Sequence, residues 1–388
     1  MESNIRIVMK AAVFIAGDHL ITPLGLGSAA NFGRILAGDV AIQPIEDTDL
    51  SDHRIHAARI DENVWLDNIH HPQRYTRLEQ LIILALQAMI DAYRIPVDHS
   101  TLVVLSTTKG NITLLHRSQT AIPAERVFLP VMADALQHYF GFENRFITLS
   151  NACISGSLAI SVARQLLQHN DKYQQAIVIG GDEISRFIVS GFDAFQALAD
   201  EPCRPFDRDR KGLNLGEAIA AVYLSKTPTI GAINIMGIGS YNDANHISGP
   251  SRTGEGLYRS IREAMRQAGD PALDFISAHG TATAYNDEME AIALQRCGLT
   301  AVPVHSLKGY YGHTLGASGL LETVLGIQSL KHDQLIPSMG YAQQGTNHAL
   351  NIITPENQGT ERNTTLGTFL KTASGFGGCN IATVFQKI

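Results

Sequence analysis

Cysteine is scarce in this chain of 388 residues: there are four, at positions 153, 203, 297 and 379, and no two form a Cys-x-x-Cys pair. That scatter argues against a disulfide scaffold or a zinc ribbon. Positive charge is also in short supply. Thirty Lys and Arg face 37 Asp and Glu, giving a formal charge of −7, and no long basic run occurs. The chain therefore lacks the broad basic field of a nucleic-acid binder. Long apolar runs are missing as well. The run at 11–16 is interrupted by Gly17 and Asp18, and the stretch 81–90 carries Gln87 and is flanked by Glu79 and Asp91. Neither meets the requirements of a signal peptide or a membrane span, which predicts a cytoplasmic protein without membrane insertion. No low-complexity tract is present, and the phosphate-loop pattern Gly-x-x-x-x-Gly-Lys-[Ser/Thr] is absent, so ATP binding is disfavoured.

What is present is a chain with 45% hydrophobic and 17% charged residues, long enough for two sizeable cores. Its 34 glycines, many paired or beside His, Thr or Asn, indicate tight loops where backbone approaches something closely. Strand-like runs at 11–16, 102–106 and 176–179 alternate with helical ones such as 78–93, an α/β pattern. Continuously apolar strands such as 176–179 predict a sheet covered on both faces. The pattern breaks at 225–229, which divides the chain into halves 1–229 and 230–388. The second half repeats the strand, active-looking residue, helix order, so that 302–330 parallels 146–167. Residues 39–69, rich in Asp and His, read as an excursion on the first half.

Cys153 sits where the strand-like run 146–149 meets a stretch, 158–167, whose Leu158, Val162, Ala163, Leu166 and Leu167 recur at helical spacing. A thiol at a helix N-terminus is expected to favour the thiolate, and Ser155, Gly156 and Ser157 are expected to leave room for a substrate. The bland alternative is a small buried apolar residue. Three further clusters bear on the choice. His279-Gly280-Thr281-Ala282-Thr283 follows the strand-like run 275–278; the histidine is either a loop-cavity group or a hydrogen-bonded structural one, and Asp287 and Glu290 read as charges and caps of the next helix. Lys308 precedes a glycine-rich segment containing His313, with Glu322 on the following helix, although both charges also suit a surface. Ser374-Gly375-Phe376-Gly377-Gly378-Cys379-Asn380 lies between the strand-like runs 364–370 and 381–385. It is either a hairpin loop or a turn that offers an N–H to an oxyanion and carries an aromatic gate.

Taken together, Cys153, His279, Lys308, His313, Glu322 and the Gly-Phe-Gly-Gly loop resemble, in order and approximate spacing, the elongating two-histidine β-ketoacyl-acyl-carrier-protein synthases of the thiolase-like superfamily. The resemblance runs from about residue 11 to 385, with further matches at 204–212 and 216–218. It implies a thiolase-like fold of two related α/β halves in α-β-α-β-α layers. It also implies decarboxylative condensation of an acyl thioester with malonyl-carrier protein in fatty-acid, polyene or polyketide chain elongation. By the same resemblance Cys153 accepts the acyl chain, His279 and His313 act on the malonyl thioester, and Lys308 and Glu322 organise the site. Thr281 and Thr283 line the pantetheine channel. The N–H groups of Cys153 and Phe376 form an oxyanion hole, with Gly375 and Gly377 permitting the turn. Arg204 and Arg74 are implied as docking positions for an acyl carrier protein. No metal or redox cofactor is implied, since phosphopantetheine arrives on the carrier, and the family is dimeric, with a second copy or a related chain-length subunit. Ile154, Gly156, Ser374 and Cys379 depart from the commonest pattern, and the small Ser374 beside Phe376 is expected to admit a stiffer acyl chain. The nearest enzymatic rival is a thiolase, whose second cysteine precedes a glycine run, whereas Cys379 follows one. A non-catalytic chain-length partner would lack the nucleophile. A metal module would have to use His53, His56, His70 and His71, which form no recognised ligand set.

Overall fold

The structure is a computed structural model that describes residues 11–61, 69–116, 121–243, 249–358 and 365–388. The charged segment 1–10, part of the excursion 39–69, and residue 364 of the expected strand 364–370 lie at least partly outside the described residues.

The first half runs β1 (Phe14–Thr22), β2 (Gly25–Leu26), α1 (Ser28–Leu36), β3 (Gln43–Ile45), β4 (Ile55–Ala58), α2 (Arg77–Tyr93), β5 (Thr101–Ser106) and α3 (Leu129–Phe140). It continues with β6 (Ile147–Leu149), α4 (Ser155–His169), β7 (Gln175–Asp182), α5 (Arg186–Ala194), β8 (Leu215–Gly216) and β9 (Ala218–Ser225). The second half runs β10 (Ile233–Asn242), α6 (Glu255–Ala268), β11 (Phe275–Ser277), α7 (Ala284–Arg296), β12 (Val304–His305), α8 (Lys308–Tyr311), α9 (Ser318–His332), β13 (Thr368–Gly375) and β14 (Cys379–Lys387).

The strands of the large sheet lie in the order β12-β11-β13-β14-β10-β1-β9-β7-β5-β6, with β2 against β1. Read outward from the β1–β10 seam, each side has the same pattern: two antiparallel pairings followed by two parallel ones. The seam itself pairs only Phe14 with Asn234 and Ile15 with Ile233. The repeat expected from the sequence is thus a repeat of topology, in which β6 corresponds to β12 and α4 to α9. In the excursion, β3 and β4 form a small sheet with β8.

Helices α4 and α9 pack on each other between the two sides of the sheet, with α2 and α3 outside one side and α6 and α7 outside the other. This is the five-layer arrangement. It explains the unbroken apolar strands: Leu102 and Val104 of β5 enter the central core while Val103 and Leu105 enter the outer one, and β7 divides Ala176 and Val178 from Ile177 and Ile179 in the same way. The central helix α9 is buried from Ser318 to Leu330 and has no polar face to show. By contrast α2, on the outside, is started by a capping box in which the Thr76 side chain takes the Glu79 N–H and Glu79 takes the Thr76 N–H.

The α4–α9 contact corrects one expectation. A Cβ on Gly156 would lie 2.8 Å from Gly316 O and 3.0 Å from Leu320 N, and one on Gly319 would lie 2.3 Å from Ser157 Oγ. Small residues after Cys153 are there to let two helices approach, not to make room for a substrate.

Candidate active site

Most site residues sit beside the end of a strand or the start of a helix, and Glu322 lies within α9. Cys153 lies between β6 and α4, after Ala152, whose φ of 45° is a conformation that L residues seldom adopt. Ala282, between the two threonines, and Leu315, two residues after His313, share this strain at φ 63° and 51°. Strained backbone of this kind persists where the surroundings hold it, and these three positions adjoin the site residues.

The side chains of Cys153, His279 and His313 converge there, with the thiol sulfur and a ring nitrogen of each histidine within 4.8 Å of one another. The rings meet edge to face, their centroids 5.2 Å apart. Burial and the Lys308 charge push both imidazoles down, His313 to about 3 and His279 well below its ordinary value. Both are therefore neutral, and the hydrogen bonds decide their tautomers. The Leu315 N–H donates to His313 Nδ1 at 3.2 Å, and the Lys308 ammonium donates to His279 Nδ1 at 3.3 Å. With each Nδ1 accepting, each Nε2 carries the hydrogen, and among the described residues the buried His313 Nε2 has no protein partner.

Behind the histidines, Lys308 is 1% exposed rather than a surface residue. It donates to the His279 carbonyl at 2.6 Å and to Glu322 Oε1 at 2.6 Å. Burial would raise Glu322, but Lys308 and Lys371 hold it down to about 2. Asp287 and Glu290, expected as helix charges, instead reach back to the strand end and fix its loop. Glu290 accepts the N–H groups of His279 and Gly280 at 2.9 and 2.8 Å, and Asp287 accepts that of Thr281 at 2.9 Å. Burial raises Asp287 to about 6.

The thiol departs from expectation. Burial pushes Cys153 up to about 12, with the Lys308 charge and the Phe376 N–H opposing it, so the resting group is a thiol rather than a thiolate. Gly375 stands so close that a Cβ would lie 3.1 Å from the Cys153 N. The Phe376 ring, 39% exposed, stacks on Phe192 at 5.7 Å and meets Phe195 edge-on at 5.5 Å. Gly377 turns the β13–β14 hairpin at φ 86°.

All of this opens on a cavity of about 530 Å³, lined by Cys153, His279, His313, Thr281, Thr283 and Phe376 among others. The two threonine hydroxyls lie 2.8 Å apart. Ser374 also faces the cavity and donates to Asn380 at 2.7 Å. Of the two arginines, Arg204 is partly exposed and ion-paired with Glu201 at 3.5 Å, and it does not line the cavity. Arg74 does not reach the site at all: it lines a separate surface pocket with His70, His71 and His138. The basic residue in the cavity wall is Lys211, paired with Glu201 at 3.4 Å.

The sequence reading missed Lys371, which is buried in β13 with its ammonium 2.8 Å from Glu322 Oε2. The signal was a lysine, the one charge in the strand Thr368–Gly375, directly after the apolar pair Phe369 and Leu370. It also missed Asp182, whose buried carboxylate accepts the Gly316 N–H at 2.7 Å and that of Thr108 at 2.9 Å, tying the loop after β5 to the turn before α9.

A fold of two repeated α/β halves with a buried cysteine facing two neutral histidines defines a class of carbon–carbon bond-forming acyltransferase, and comparison with known proteins agrees. The family description "Beta-ketoacyl synthase, N-terminal domain" matches residues 10–229 and "Beta-ketoacyl synthase, C-terminal domain" matches residues 233–342. The chain belongs to the β-ketoacyl synthase family. A 3-oxoacyl-[acyl-carrier-protein] synthase 2 from Rhizobium meliloti is 27% identical over 97% of this chain and 98% of its own. One from Staphylococcus aureus is 26% identical over 100% and 99%. Among solved structures, the ketosynthase ApeO in complex with its chain length factor ApeC from Xenorhabdus doucetiae superposes with a TM-score of 0.86 at 24% identity, covering 97% of this chain and 98% of that one. The ishigamide ketosynthase/chain length factor gives 0.86 at 22% identity, over 98% and 100%.

Proposed function

We propose that the chain joins an acyl unit held on Cys153 to a malonyl unit carried by an acyl carrier protein, with no metal or redox cofactor. The observation that carries this reading is the pair of Nε2–H groups facing the cavity beside the thiol while both Nδ1 atoms are committed elsewhere.

In the first half-reaction the Cys153 sulfur attacks an acyl thioester. The Cys153 proton ends on the departing pantetheine thiol, so the exchange needs no net proton. The sulfur must shed its proton to attack, and the α4 N-terminus and the Lys308 charge stabilise it as its negative charge develops. In the second, the malonyl carboxylate leaves as carbon dioxide and its bonding electrons pass to the thioester oxygen, which the two imidazole N–H groups hold as an enolate. The enolate carbon then attacks the acyl-Cys153 carbonyl. The resulting oxyanion faces the N–H groups of Cys153 and Phe376, and its collapse expels the Cys153 sulfur, which takes up a proton. Thr281 and Thr283 offer hydroxyls to the amide-bearing arm along the cavity wall.

We assign carrier docking to Arg204 and add Lys211, the cation in the cavity wall. The relatives' names support the carrier as partner. We further propose a dimer, with a second copy or a related subunit. β6 ends the sheet, and β6, α3 and α5 adjoin a run of surface that exposes Leu115, Phe128, Val131 and Phe187. The division at 229/230 is proposed on the repeated strand order. Pathway and chain length belong to the same proposal: Ser374 beside the Phe376 gate favours a stiff, conjugated acyl chain.

The test is incubation with a panel of acyl-carrier-protein thioesters, followed by intact mass of the enzyme and analysis of products. An acyl adduct on Cys153, lost in Cys153→Ala, is expected. An adduct on Cys203, Cys297 or Cys379 instead would overturn the assignment.

A further inference from the structure

The polar core behind the histidines contains one cation more than the two half-reactions use. Lys371 donates to the Ser277 carbonyl at 3.2 Å and to the Thr372 carbonyl, and its ammonium lies 2.8 Å from Glu322 Oε2. The other Glu322 oxygen is taken by Lys308 at 2.6 Å and by the Ser318 hydroxyl at 2.9 Å. One buried carboxylate thus bridges two buried ammonium groups. The next carboxylate is Glu290, also fully buried, which accepts the Thr372 hydroxyl at 2.6 Å as well as the two loop N–H groups. Two cations face two carboxylates. Without Lys371 the set would hold an uncompensated negative charge out of reach of water, an arrangement proteins avoid.

We propose that Lys371 is a positioning residue for malonyl decarboxylation: it clamps the far oxygen of Glu322, so that Glu322 orients Lys308 and Lys308 orients His279, and it sets a second positive charge behind the two imidazoles. This rests on the function proposed above. The groups that face Lys371 are Glu322 from α9, Glu290 from α7, Lys308 from α8, His305 from β12, and His279 and His313 from the loops. Burial and Lys308 lower His279 and His313 most, and Lys371 adds to both. A protonated ring would lose the N–H that its Nδ1 now accepts, from Lys308 or Leu315, and would turn away from the enolate position. Burial lowers Lys371 and the Glu322 carboxylate opposes it, and the ammonium so held disfavours that protonation.

The experiment compares the parent protein with Lys371→Met, which keeps most of the length of the side chain and removes its charge. Three readouts are needed: intact mass after acyl transfer, carbon dioxide release from malonyl-carrier protein, and the pH profile of that release between about pH 4 and 8. Acylation of Cys153 is expected to persist, while carbon dioxide release falls about tenfold or more at neutral pH. On the acid side the parent profile is expected to hold down to about pH 4 and the variant's to bend down about one pH unit sooner. If Lys371→Met does not fold, the double variant Lys371→Met/Glu322→Gln restores the charge balance, keeps an oxygen for Lys308, and is expected to fold with the same bend. An unmoved acid limb in a folded variant, equal loss of both half-reactions, or failure of both variants to fold would overturn the proposal. A parent protein that releases no carbon dioxide overturns the function itself, and Lys371's part with it; a parent that does, beside an unmoved variant, overturns Lys371's part alone.

Discussion

At the scale of single residues, the site is built from groups held away from their ordinary ionisation. Burial first, then the neighbouring lysines, push His313 and His305 down from 6.5 to about 3, and His279 follows in the same direction. Below about pH 6.5 the unfolded chain binds protons at these rings that the folded chain does not, so their contribution to stability is present above 6.5 and is lost as pH falls toward about 3. Glu322, at about 2 against an ordinary 4.5, gives a further loss of the same sign below 4.5. Asp287, raised from 3.8 to about 6, works the other way between those values and offsets one histidine. Urea unfolding is therefore expected to show lower stability at pH 5 than at pH 7, and equal or greater stability at pH 5 would contradict this account. Ser374 gives a second prediction at this scale. It donates to Asn380 beside the Phe376 gate, and Ser374→Phe should narrow the cavity and shift acyl preference toward shorter or more flexible chains. The panel of acyl thioesters measures it, and an unchanged preference would remove Ser374 from specificity.

At the scale of elements, the meeting of α4 and α9 holds the nucleophile against the histidine loop. Gly156 permits that meeting. Gly156→Ala would place a methyl group 2.8 Å from a backbone carbonyl that has little freedom to move, and it should cost about 1–3 kcal/mol in urea unfolding and reduce acylation. No loss of stability would show that the helices separate freely. The same contact shows what the sequence could reveal. The junction of β6 with a helix at Cys153, the strand ends before His279 and Lys308, and the hairpin at Phe376 were all legible, because apolar periodicity and glycine turns are local signals. Lys371, Glu290 and Asp182 were not, because their partners stand 49, 11 and 134 residues away in sequence and only the fold brings them together. The resting thiol was misjudged for a related reason. Its helix terminus is visible in sequence, whereas the burial that outweighs it comes from elements of both halves.

At the scale of the whole molecule, Cys153 comes from the first half and His279, Lys308 and His313 from the second, and in the proposed reading the first holds the acyl unit and the second acts on the malonyl unit, across a five-layer body in which α4 and α9 form the shared middle. In the proposed reading the carrier docks at the surface around Arg204 and Lys211. Charge reversal at Arg204 should raise the KM for carrier-bound substrate and weaken the salt dependence of the rate, and unchanged kinetics would exclude it from docking. The division of labour between the halves is the central claim, and one measurement tests it most directly: release of labelled carbon dioxide from malonyl-carrier protein, alongside the intact mass of the acylated enzyme, in His279→Ala and His313→Ala. The account predicts that both variants keep at least part of the acyl adduct on Cys153 while carbon dioxide release falls by about 10²- to 10³-fold, the usual loss on removing one donor from a preorganised anion site. Normal decarboxylation in both folded variants would contradict it and return His279 and His313 to a structural role.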